Sequence, residues 1–92
     1  MKMDSYNSLM EYLKAQDQNT DWDNTYVLAE NLLDGSYFNG EPIDRDDYYM
    51  VVEANKTINF MEYKEQRYVP VFTATVMHEE RIVTIFGFTL LE

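Results

Sequence analysis

The residues of this chain best suited by type to do chemistry are its carboxylates. Asp17, Asp21, Asp23, Glu30, Asp34, Glu41, Asp44, Asp46 and Asp47 fall between positions 15 and 47, where Arg45 is the only base, for a local net charge of −8. The whole chain carries −10, so one third of it holds most of the charge. Such a surface repels nucleic acid and anionic lipid and steers toward basic proteins. Burying carboxylates against a partner costs free energy, so a tight acidic interface also needs apolar anchors. Trp22, Tyr26, Tyr37, Phe38, Tyr48 and Tyr49 are interleaved with the acids. The expected partner-binding surface is Asp17, Asp21, Trp22, Asp23, Tyr26, Glu30, Asp34, Glu41, Asp44, Asp46, Asp47 and Tyr48. Two plainer readings stand beside it: acids that only keep the chain soluble, and aromatics that only pack loop onto sheet.

Catalytic constellations are poorly supplied. Acid–base and nucleophilic chemistry needs a poised group beside a partner. The single histidine, His78, falls in an expected turn, and Ser5, Ser8 and Ser36 lie outside any nucleophile-elbow context. Asp17-Gln18-Asn19-Thr20-Asp21-Trp22-Asp23 alternates oxygen ligands as a calcium loop does, but the turn position that needs glycine is Trp22 and the closing glutamate is replaced by Leu28. With one histidine and no cysteine there is no zinc signature. Three separated glycines make no phosphate cradle, and seven scattered bases make no nucleic-acid patch. The expectation is a non-enzyme with no cofactor and no metal. It does not touch nucleic acid directly, it binds a basic protein, and it is itself a monomer or homodimer.

Ninety-two residues make a single domain, 1–92. With 46% apolar and 15% aromatic residues it can build a core despite its charge. The N-terminal residues lack the apolar run of a signal peptide, and no window approaches the length that spans a bilayer. A cytoplasmic location is expected, with no membrane partner.

The elements that must position these residues read as α+β: two N-terminal helices packed on a four-stranded antiparallel meander. Tyr6, Leu9, Met10 and Leu13 form one apolar stripe, which predicts a helix over 5–16 capped by Asp4 or Ser5. A polar loop, 17–21, follows. Possible caps at Asp23–Thr25, apolar Leu28 and Leu32, and Gly35 as a terminating glycine predict a second helix over 25–34. Residues 36–47 read as turn and loop, with Asn39-Gly40 able to close a small hairpin. From Tyr48 the composition turns to Val, Ile, Thr, Tyr and Phe, predicting strands over Tyr48–Glu53, Thr57–Tyr63, Tyr68–Met77 and Ile82–Leu91. Their short connections demand antiparallel hairpins. Pro70 must sit where a ladder N–H is not needed. A two-residue turn at Glu79-Glu80 would set Phe72 opposite Gly87.

Two resemblances follow from these segments. Trp22-Asp23 leading into Leu28–Leu33 looks like the acidic second helix of inhibitors of uracil-DNA glycosylase. Asn55–Ile58, Tyr68–Phe72 and Ile82–Phe88 look like the strand series of the same family. Those inhibitors imitate DNA and come from phage and mobile elements. The chain departs from them at their Glu-Ser-Ile edge motif, where it has Asn24-Thr25-Tyr26 or Thr25-Tyr26-Val27. Tyr68–Thr73 also resembles an SseB-like N-terminal domain, although that family turns helical where Ala74–Met77 continues as strand. The first resemblance implies a phage-type, anti-defence inhibitor: a DNA-mimicking surface presented to a nucleic-acid-acting protein. The alternative is an immunity or accessory protein that binds a basic toxin or other partner without mimicry.

Overall fold

The computed structural model describes residues 4–91. The apolar stripe forms its helix, α1 (Asp4–Gln16), with Leu9 and Leu13 buried. Ser5 lies inside the helix and its Oγ donates to Glu79 Oε1 at 3.1 Å rather than capping. The Asp4 side chain lies outside the described residues. A one-turn 3-10 helix (Trp22–Asn24) follows, and then seven strands: β1 (Tyr26–Leu32), β2 (Gly35–Phe38), β3 (Glu41–Ile43), β4 (Tyr48–Val52), β5 (Ile58–Tyr63), β6 (Gln66–His78) and β7 (Arg81–Leu91). All pair antiparallel in one sheet of order β3-β2-β1-β7-β6-β5-β4. A second one-turn 3-10 helix (Arg45–Asp47) links the two outermost strands, β3 and β4.

This architecture corrects the expected one. There is one α-helix among the described residues rather than two, and the sheet has seven strands rather than four. The four strands expected from position 48 onward all form as neighbours, but β1, β2 and β3 extend the sheet beyond β7. The predicted helix over 25–34 is a strand. Val27 and Ala29 face α1 while Leu28 faces the opposite core, so both faces of β1 are buried and the alternation of a half-buried strand is lost. A β-bulge between Ala29 and Leu32, with Asn31 at φ 74, then turns Leu32 back to the α1 side. The resulting Leu28–Leu32 spacing mimics one helical turn. Gly35, read as a helix terminator, opens β2 at φ 125. The segment read as loop, 36–47, holds β2 and β3, closed by Asn39-Gly40 with φ 53 and 92, the left-handed pair that a type I′ hairpin requires.

The sheet separates two cores. On one face α1 lays Tyr6, Leu9 and Leu13 against Val27, Ala29, Leu32, Tyr37, Val83 and Ile85. The other face curls inward over Leu28, Phe38, Ile43, Met61, Tyr68, Phe86 and Phe88. Ring contacts close this concave side: Phe38 of β2 meets Tyr63 of β5 edge-on at 5.2 Å, bringing strands from opposite ends of the sheet together. Aromatic pairs of this geometry add about 0.5–1.5 kcal/mol each beyond area burial.

A bulge at Val71 sends β6 from one core to the other. Tyr68 points into the concave core, whereas Phe72 pairs with Gly87 and packs on the α1 side. A Cβ on Gly87 would stand 2.3 Å from the Phe72 ring, so any side chain there would have to push that ring aside. The β5–β6 ladder stops at Met61–Tyr68. Continuing that register would ask Pro70 for an N–H it does not have.

Candidate functional site

Most acids of 17–47 reach the surface on two local turns, each held by its own hydrogen bonds. At the end of α1, Asp17 folds its carboxylate over the next turn and accepts from the amides of Asn19 (3.0 Å) and Thr20 (3.2 Å) and from the Thr20 hydroxyl. The Thr20 hydroxyl and the Asn19 amide hold the Asp17 carboxyl below its ordinary range. Asp21 accepts from Asn24 Nδ2 at 2.7 Å, and Asp23 is exposed on the same turn. Trp22 does not project as an anchor. Its Nε1 donates to the Asp17 carbonyl at 2.8 Å and its ring meets Phe72 edge-on at 5.7 Å. This first patch is therefore pinned to the α1 side of the sheet.

The second turn is the link between β3 and β4. Asp44 and Asp47 cap the short helix reciprocally, with the Asp44 amide donating to Asp47 Oδ2 at 3.0 Å. That turn sets Asp46 and Asp47, with Glu41 from β3, along a groove of about 640 Å³. Pro42, Tyr63 and Lys64 complete its walls. The Lys64 ammonium sits 5.3 Å from the centre of the Tyr63 ring. Tyr63 and Lys64 come from the β5–β6 turn, far along the chain. Nothing near Glu41 in sequence announces them; only the curl that joins Phe38 to Tyr63 brings them in.

Between the patches the sheet carries a polar bridge. Glu30, at the start of the β1 bulge, accepts a short hydrogen bond from the Tyr48 hydroxyl of β4. Burial, then the neighbouring Glu30 carboxylate, push the Tyr48 phenol well above its ordinary value. Arg45 lines the same recess and opposes that shift. On the adjoining rim Arg81 clamps the bulge, donating Nε to the Asn31 carbonyl (3.0 Å) and Nη2 to Asn31 Oδ1 (2.7 Å).

The expected surface thus divides. Asp17, Asp21 and Asp23 form one exposed patch, and Glu41, Asp44, Asp46 and Asp47 form another around the groove. Asp34 is exposed at the β1–β2 turn, apart from both. Glu30 and Tyr48 are half-buried and satisfy each other. Tyr26 belongs to the concave core, stacked on Phe38 with centroids 6.2 Å apart and tilted against Tyr68 at 5.2 Å. Among the described residues the ion pair is Arg67–Glu62 at 3.7 Å, which involves none of the acids from 17 to 47.

His78 is not in a turn. It ends β6, half-buried, with Nε2 3.1 Å from Ser8 Oγ and its ring 5.9 Å from Tyr12. This contact, with Ser5–Glu79, docks α1 on the hairpin end. Among the described residues no group of acids and histidine is arranged to hold a metal ion, and no helix is long and apolar enough to cross a membrane. No protein-family model, curated protein or solved structure matches this chain.

Proposed function

We propose that this protein is a non-catalytic acidic binding protein that engages a basic, nucleic-acid-acting protein through the carboxylates of 17–47. The observation that carries this reading is that these acids are exposed or hydrogen-bonded to neutral groups and none takes part in an ion pair among the described residues. Acids meant only to balance neighbouring bases would be paired with them. These are left with their field directed outward. The Glu41–Asp46–Asp47 groove is the preferred contact, because its three carboxylates line one recess where they can bind an incoming guanidinium along its edge.

DNA mimicry remains the leading form of the proposal, with an inhibitor of anti-restriction, anti-CRISPR or related type as the class. Its support is charge alone, since the segment likened to the acidic second helix of the glycosylase inhibitors is strand β1. The test is retention of a captured basic protein in the presence of competing duplex DNA. Release by DNA supports mimicry. Retention through DNA, with loss on Glu41→Lys/Asp46→Lys substitution, selects the accessory or immunity reading instead. Retention by both the native and the substituted protein rejects the acidic site.

A further inference from the structure

We propose that two copies of this chain join edge to edge through β6, pairing residues 71–77 antiparallel about a two-fold axis at Ala74. The inference rests on backbone left without a partner. β6 pairs with β7 along its whole length, but with β5 only at Gln66, Arg67 and Tyr68. Beyond Tyr68 its other edge has no strand beside it among the described residues. In a two-residue hairpin the residues flanking the turn exchange both backbone bonds, and the bonding direction then alternates along each strand. Counting from His78–Arg81, Val76, Ala74 and Phe72 bond toward β7. Met77, Thr75 and Thr73 therefore turn their N–H and C=O groups to the open side.

Beyond Pro70 and the bulge at Val71, which stand only at its start, this edge lacks the usual protections. Natural edges are blunted by charge, proline or shortness. Val71-Phe72-Thr73-Ala74-Thr75-Val76-Met77 has no charge, no proline and no glycine, and every residue but Ala74 and Met77 is β-branched or aromatic. Val71, Met77 and the adjacent Ile82 are 61%, 63% and 58% exposed. In a protein of net charge −10, this neutral stretch is where a second copy can approach with least repulsion.

The segment is also matched to itself. About Ala74, Thr73 stands opposite Thr75 of the second copy, Phe72 opposite Val76, and Val71 opposite Met77. The Thr73–Thr75 and Phe72–Val76 pairs each share a face of the joined sheet, and Val71 and Met77, the segment's most exposed apolar residues, meet at its ends. In this register His78 of one copy reaches Pro70 of the other. That lays Thr75–His78 of one copy along the groove of about 550 Å³ between Lys56–Ile58 and Pro70–Thr73 of the other. Pro70 and the bulge at Val71 thereby acquire a role: they end the β5 ladder and turn the strand outward to meet its copy.

The test uses the full chain in sedimentation equilibrium. The native protein is expected to sediment as twice its 11.0 kDa mass at high micromolar concentration. Thr73→Lys/Thr75→Lys sets like charges opposite each other and is expected to sediment as a monomer, as is Thr73→Glu/Thr75→Glu. Mixing the two double variants is expected to restore the dimer, because lysine then faces glutamate in this register. Both sites are exposed, and circular dichroism with thermal melts checks that the variants fold. A monomeric native protein overturns the proposal. So do double variants that each remain dimeric, or a mixture of folded variants that stays monomeric.

Discussion

The acidic segment 17–47 and the β6–β7 hairpin meet the solvent in opposite ways. The first is charged, and its backbone is largely paired: β1 lies between β2 and β7, β2 between β1 and β3, and its own open edge, β3, is three residues long with Pro42 at its centre. The second is uncharged over residues 71–77 and leaves one backbone edge open. One region offers side-chain charge on a closed scaffold. The other offers main-chain hydrogen bonds with nothing to repel a neighbour. The two halves should therefore respond to different perturbations. Salt acts on the acidic segment, and edge substitution acts on the hairpin, with little crossover between them.

The largest expected effect breaks the hairpin from within. Gly87→Ala drives a methyl into the Phe72 ring and should cost about 1–3 kcal/mol, read as a lowered urea midpoint. Pairing it with Phe72→Leu should recover part of that loss. An additive double variant would mean that the close approach does not exist. Next come the strained turns. Lys64 and Glu65 both hold positive φ, at 50° and 64°, where residues with a side chain are disfavoured. Lys64→Asn/Glu65→Gly should raise stability by about 1 kcal/mol, seen as a higher Tm.

A smaller change sharpens the contrast at the joint between the regions. Tyr48→Phe deletes the hydroxyl that Glu30 accepts from and should cost about 0.5–1.5 kcal/mol. The same phenol gives a pH signature. Its folded pKa lies above the ordinary value of 10.0, so its contribution is complete below pH 10.0 and declines as the pH climbs above it. The native protein should lose stability over that alkaline range more steeply than Tyr48→Phe does. Asp17 works in the other direction. Its carboxyl is held below the usual range, so its contribution is present above that range and fades as acid protonates it. Asp17→Asn should flatten the acid limb of the stability curve. The smallest effect belongs to Glu41→Lys/Asp46→Lys, whose exposed sites should change stability by less than about 0.5 kcal/mol while abolishing partner capture.

What the residues disclosed in advance follows the same division. The strands from Tyr48 onward were legible because β-branched and aromatic runs alternate with short polar turns, and the Phe72–Gly87 pairing followed from a two-residue turn at Glu79-Glu80. Helix α1 was legible from its single stripe. β1 was not, because a strand buried on both faces and broken by a bulge carries no period of two, and its Leu, Ala and Glu residues favour helix. The β2–β3 hairpin was legible only in its Asn39-Gly40 turn, because its strands are too short to announce themselves. Of the candidate site, the exposed acids were legible as charge. Packing of Trp22, Tyr26 and Tyr48 was legible only as an alternative, since their partners Phe72, Phe38 and Glu30 are brought near by tertiary pairing alone. Tyr63 and Lys64 escaped for the same reason.

Partner binding through 17–47 requires outward, unpaired charge, and a side-by-side capture experiment tests for it. The native chain and Glu41→Lys/Asp46→Lys are immobilised side by side and exposed to the same lysate, then washed with salt rising to about 0.5 M, where exposed charges are strongly screened. The native chain alone is expected to retain basic proteins and to give them up as the salt rises. Equal capture by both chains, or capture that survives the full gradient, would contradict partner binding through 17–47.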